Sequence, residues 1–191
     1  MIDVKNETVF HLDGTLTPTT KQREEDKMKL MDHYVNFILS SLPQAAGLSK
    51  YLTADKYFMK KEFILPMVNA GLHVITKMRK DANLKYLFKG WQKPGKGRRR
   101  KHGDKVDLLK VDRRKWDMVY ENKENYCITV ELFCVTLKRN VRIVYLYDKV
   151  RRTYEVFLST DIELSAQKIE KQYRLRYQIE FLFRDEKQHG G

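Results

Sequence analysis

The chain has 191 residues, with 38 Lys and Arg against 25 Asp and Glu, a formal charge of +13. At 42% hydrophobic it holds enough apolar side chains for one core, so it is not a disordered tail. A mean hydropathy of −0.61, with no run near the roughly 18 apolar residues of a spanning helix, excludes a membrane-spanning protein. The opening residues Met1 to Glu7 lack the basic-then-apolar order of a signal peptide. Cys127 and Cys134 fit neither a metal pattern nor a disulfide framework and read as reduced core residues of a cytosolic protein. The positive balance suggests a polyanionic partner, nucleic acid foremost, with solubility alone as the plainer alternative.

Residues 1–18 read as a β-hairpin: Met1–Val4 and Thr8–Leu12 around a turn-like Lys5-Asn6-Glu7. Thr19 and Thr20 offer an N-cap, with Gln22 three residues after Thr19 as in a capping box. Met31, Tyr34, Val35, Ile38 and Leu39 then recur at helical spacing, and Pro43 is expected to end or follow that helix. Tyr51–Ala54 is a short strand ending at Asp55. Lys60 to Ala70 reads as a helix stopped by Gly71, with Pro66 as a kink or early end, and Leu72–Thr76 as the next strand. Alternating strands and helices up to this point indicate an α/β class.

The pattern changes after Met78. Trp91 to Lys105 carries Arg98, Arg99, Arg100 and Lys101 among Gly and Pro without an apolar period, the mark of a basic loop. Trp91 and Trp116 flank it; they are read as packing residues, with stacking on exposed bases as the alternative. Tyr126–Leu137, Val141–Tyr147 and Thr153–Leu158 are β-rich, and the first alternates with period 2. Lys138-Arg139-Asn140 and Asp148 to Arg151 read as hairpin connections, so 79–158 is expected to be an antiparallel β insertion. Ser159 and Thr160 would cap a last helix from about Ile162 to Glu186. The five histidines form no ligand spacing.

On that helix Tyr173, Arg176, Glu180 and Lys187 are spaced 0, 3, 7 and 14. At 100° per residue they fall at roughly 0°, −60°, −20° and −40°, one stripe with a carboxylate between two cations. A solvated face with Arg176 and Glu180 paired at i, i+4 would use the same residues.

The spacing Y-x-x-R-x-x-x-E-x-x-x-x-x-x-K resembles the Tyr-Arg-Glu-Lys signature of a large group of bacterial insertion-sequence transposases of the D-D-E type. Leu158-Ser159-Thr160-Asp161, Ile179 to Asp185, Ala54-Asp55-Lys56-Tyr57-Phe58 and Met78 to Leu84 also look like family text. The resemblance implies an RNase H-like α/β core interrupted by a β insertion: 1–78 and 159–191 would build the core and 79–158 the insertion. It implies phosphoryl transfer with Mg2+, for which Mn2+ can substitute: hydrolysis at transposon ends, then attack of the freed 3′-hydroxyl on target DNA. Carboxylates are hard oxygen ligands suited to that ion. Carried over, Asp55 is the second acid and Glu180 the third, both as catalytic metal ligands, while Tyr173, Arg176 and Lys187 contact DNA phosphates. The basic loop residues Arg98, Arg99, Arg100 and Lys101 would add DNA contacts. Transposon ends, target DNA and a full-length transposase are the implied partners, and the bacterial cytoplasm, at the nucleoid, the implied location.

In this family the first aspartate sits on a strand ahead of the opening hairpin. Neither Asp3 nor Asp13 lies in text like that motif. The expectation is an internal fragment lacking the first acid, incomplete and inactive alone, or a regulatory remnant that binds DNA without cutting. His11-Leu12-Asp13-Gly14-Thr15-Leu16 also resembles the first motif of haloacid-dehalogenase-like phosphatases. His11 stands where that chemistry needs a nucleophilic aspartate, so the match fails at the decisive residue.

Overall fold

The computed structural model describes residues 2–3, 8–9, 14–45, 49–92, 95 and 97–178. The opening hairpin forms, with β1 (Ile2–Asp3) antiparallel to β2 (Thr8–Val9). Thr19 caps α1 (Thr20–Glu25): its hydroxyl accepts from the Gln22 N–H, and the Gln22 side chain accepts from the Thr19 N–H. The helix stops there. Lys27 adopts φ 51°, a left-handed conformation that breaks the chain before α2 (Leu30–Ala45). The expected single helix is therefore two, and Pro43 lies inside the second rather than at its end.

Among the described residues eight strands form one sheet in the order β3-β4-β10-β9-β8-β5-β6, with β7 also on β8. They are β3 (Tyr51–Ala54), β4 (His73–Lys77), β5 (Leu84–Leu87), β6 (His102–Lys105), β7 (Asp117–Glu121), β8 (Asn125–Cys134), β9 (Arg139–Asp148) and β10 (Thr153–Ser159). Only β3 and β4 run parallel within it, joined by α3 (Lys61–Asn69). Pro66 is accommodated inside α3, and Gly71 at φ 86° turns the chain into β4. The sheet is continuous from β4 into β10, where Phe157 faces Lys77 and Ser159 faces Ile75.

Alternation along the strands supplies two cores, one on each face. Val74, Ile143, Tyr145, Val156 and Leu158 meet Met31 and Val35 of α2 and Phe63, Ile64 and Met67 of α3. Their neighbours Ile75, Val144 and Phe157 face the other way, onto α4 (Ala166–Leu175), through Ala166, Ile169 and Tyr173.

Several expectations need correction. β8 ends at Cys134, and Arg139 and Asn140 are already paired in β9, so the turn is residues 135–138 with Lys138 at φ 52°. The basic segment is a loop only in part, because His102–Lys105 pairs with β5 as β6. Ser159 and Thr160 do not cap the last helix. Ser159 ends β10 and Thr160 follows it, its hydroxyl accepting the Val74 N–H at 2.8 Å, and Ser165 is the N-cap of α4.

Candidate active site

Asp55 follows β3 at the carboxyl end of the parallel pair. In open sheets with parallel strands that end is where ligand-binding groups gather. The buried Thr76 hydroxyl donates to the Asp55 carbonyl at 3.1 Å, fixing its backbone to β4. Asp55 precedes a one-turn 3-10 helix, Lys56–Phe58, but its side chain does not cap that turn. The carboxylate points instead toward α4. The Tyr173 hydroxyl donates to its Oδ1 at 3.3 Å, and the Arg176 guanidinium lies 3.8 Å from the same oxygen. The Asp55 side chain remains 51% exposed, so it is open to a further partner.

Tyr173 is buried, with its ring against Phe157 at 4.8 Å between centroids. Burial pushes its phenol pKa up and the Arg176 charge pulls it back. Arg176 lies 5.7 Å from the Tyr173 ring centroid. The helix bearing both residues is held at several points. Tyr51 donates to Asp161 at 2.7 Å, ahead of α4. Arg142 donates to the Ile162 carbonyl at 2.8 Å. Glu170 accepts from Tyr120 of β7 and from Arg174. Burial raises the Asp161 carboxyl, but the Tyr51 hydroxyl, the Glu163 N–H and the charge of His73 outweigh it and leave the pKa lowered.

In front of Asp55 lies a pocket of about 620 Å3, lined by Lys56, Tyr57, Lys60, Arg79, Lys80 and Asp81 among others. Arg79 is committed to Asp81, with Nε and a terminal nitrogen each 3.0 Å from a carboxylate oxygen. Sequence reasoning passed over Lys56 and Lys60. Their signal was placement, both within five residues of Asp55.

Of the five signature and strand-end residues singled out from the sequence, Asp55, Tyr173 and Arg176 come together. Glu180 and Lys187 lie outside the described residues. Arg98, Arg99, Arg100 and Lys101 are exposed. Gln92 clasps their loop, accepting the Arg100 N–H at 2.7 Å, while the Arg100 side chain reaches the His102 carbonyl and Asp104. The tryptophans part company: Trp116 is buried and donates to the Tyr86 hydroxyl at 3.1 Å, whereas Trp91 is 81% exposed and does not pack in the sheet.

As an oxygen donor with half its surface open, Asp55 fits one ligand position of a hard divalent cation. Among the described residues no group of three His, Cys, Asp or Glu gathers to complete such a set. A divalent cation bound there would supply charge stabilisation to the attacking and leaving oxygens of a phosphoryl transfer.

Comparison with known families matches one of them, described as "Transposase DDE domain", over residues 27–191. No curated protein and no solved structure matches the chain. The matched span takes in the strand-end acid, the helix that contacts it and the whole eight-stranded sheet, and covers most of the sequence, so the chain belongs to the family of transposase DDE domains.

Proposed function

We propose that the chain is a transposase domain whose chemistry is the metal-dependent cleavage and joining of DNA strands in transposition, with Asp55 and Glu180 as metal ligands and Tyr173, Arg176 and Lys187 as the signature residues around them, and that with only two acids assigned it does not cut DNA alone. The observation that carries the reading is the contact of Tyr173 and Arg176 with Asp55 across 118 residues of sequence. Two residues of the signature stripe thus meet the acid that the same resemblance assigns to a distant segment. In this reading β3, β4 and the flanking helices belong to an RNase H-like core (1–78 and 159–191), and 79–158 is its β insertion. Mg2+ is the expected ion, with Mn2+ as a substitute.

The chain's own residues divide the work. Thr76 and the β3 backbone fix Asp55, Tyr173 orients its carboxylate, and Arg176 offers a planar fork suited to a phosphate beside it. The exposed Arg98, Arg99, Arg100 and Lys101 contribute long-range attraction to the DNA backbone.

The test is incubation of the purified chain with supercoiled plasmid and Mg2+ or Mn2+. No nicking by the chain alone is expected; metal-dependent nicking that disappears in Asp55→Asn and in Glu180→Ala would show a complete site instead. Nicking that survives both substitutions overturns the site. Binding of DNA without nicking under either ion supports the alternative of a regulatory, non-cutting transposase domain. Neutralising Arg98, Arg99, Arg100 and Lys101 together should lower the slope of log K against log salt by at most about 3–4, one per lost phosphate contact.

A further inference from the structure

We infer that the pocket in front of Asp55 seats the sugar-phosphate backbone of the DNA strand being processed, with Lys56, Lys60 and Lys80 as its phosphate contacts. The inference rests on the reading above and adds residues that the signature does not contain.

The charge of the pocket is the first ground. Four cations and two carboxylates line it. Arg79 and Asp81 pair with each other, and although the charge of Lys56 also acts on Asp81, the pocket keeps an excess of cations. Among the described residues none of the three lysines has a carboxylate within ion-pair distance. The second ground is how two of them are held. The Lys60 ammonium sits 4.1 Å from the Tyr57 ring centroid, and the Lys80 ammonium 4.7 Å from that of Tyr154. A cation on an aromatic face is positioned without surrendering its N–H donors, which stay available to phosphate oxygens.

Shape is the third ground. A second pocket of about 320 Å3 shares Lys80 and Asp81 with the first and extends to Lys105. The two adjoin along the surface and both are open to solvent, as a strand running past the site requires. Lysines reading phosphates impose no base preference.

Lys50, Lys138 and Lys168 serve as the control, being exposed and lining neither pocket. The full chain is titrated against a short fluorescein-labelled duplex across a salt series, read by anisotropy. Lys56→Gln, Lys60→Gln and Lys80→Gln combined should lower the slope of log K against log salt by about 2–3, while the control triple leaves it unchanged. Lys→Arg at the same three positions should restore it. An unchanged slope in the groove variant, or an equal loss in the control, overturns the inference and leaves the transposase reading standing if the wild type binds. Failure of the wild type to bind duplex overturns both. A measurement without variants guards against misfolding: bound duplex should protect Lys56, Lys60 and Lys80 from acetylation, and leave Lys50, Lys138 and Lys168 reactive. Equal reactivity of both sets, with and without duplex, rejects the groove.

Discussion

Three tyrosine hydroxyls donate to carboxylates on or beside α4, and geometry ranks two of them, Tyr51 and Tyr173. Tyr51 reaches Asp161 at 2.7 Å, a short charge-assisted bond, while Tyr173 reaches Asp55 at 3.3 Å, long for an O–H donor. Tyr51→Phe is therefore expected to cost about 1–2 kcal/mol and Tyr173→Phe less than about 1 kcal/mol, compared by urea unfolding. Tyr173→Ala also removes a buried ring packed on Phe157, for about 3–5 kcal/mol. The lowered pKa of Asp161 gives this pair a pH signature. The folded state holds that carboxylate ionised below the ordinary value of about 4, so its stabilisation is present above that pH and is lost as pH falls through the folded value. Tyr51→Phe should flatten the acid limb of the stability curve, and a limb unchanged in the variant would remove Asp161 as its source.

At the scale of elements, burial decides what each helix is worth. Ile169 is the fully buried anchor of α4 between β4, β9 and β10, so Ile169→Ala should destabilise by about 2–5 kcal/mol. It should also weaken the Tyr173 and Arg176 contacts that α4 carries to Asp55. α1 has an N-terminal capping box yet buries no residue, so Thr19→Ala should change global stability by less than about 0.5 kcal/mol while local helix content falls. The same distinction explains which elements can be read from the sequence. The capping box at Thr19 and the period-2 run of β8 are local signals, and both elements form where they point. β5 and β7 are short and mix Lys, Asp and Glu with their apolar residues, while β6 reads His-Gly-Asp-Lys. Such segments become strands because β8 and β5 offer them an edge, a tertiary cause that composition does not carry. The site divides likewise. The strand-end position of Asp55 is local, its meeting with Tyr173 is a contact across 118 residues that no local signal carries, and the lysine groove emerges only when Lys80 is folded back beside Lys56 and Lys60.

Across the whole molecule the protonation of buried tyrosines and cysteines sets an alkaline limit. Burial, with Glu170 close by, pushes Tyr120 and Cys127 up to about 12, and the bond to Asp161 does the same for Tyr51. Burial raises Tyr145 further still. Each group binds its proton more tightly folded than unfolded. The stability they contribute is whole below the ordinary values near 9–10 and is lost as pH rises through about 12. Denaturation midpoints should decline steadily over that interval, and midpoints unchanged up to about pH 12 would contradict the raised values. The long reach between Tyr173 and Asp55 bears also on how the protein is made. At about 5–20 residues per second, the 118 residues between them take roughly 6–24 s to synthesise. For that interval the nascent chain carries an acid and its lysines without the helix that orients them. β3 and β4 can pair early, but β10, which closes their open side, and α4, which covers the face, arrive last. A ribosome that stops early therefore releases a chain that carries its cationic surface while Asp55 lacks the Tyr173 and Arg176 contacts.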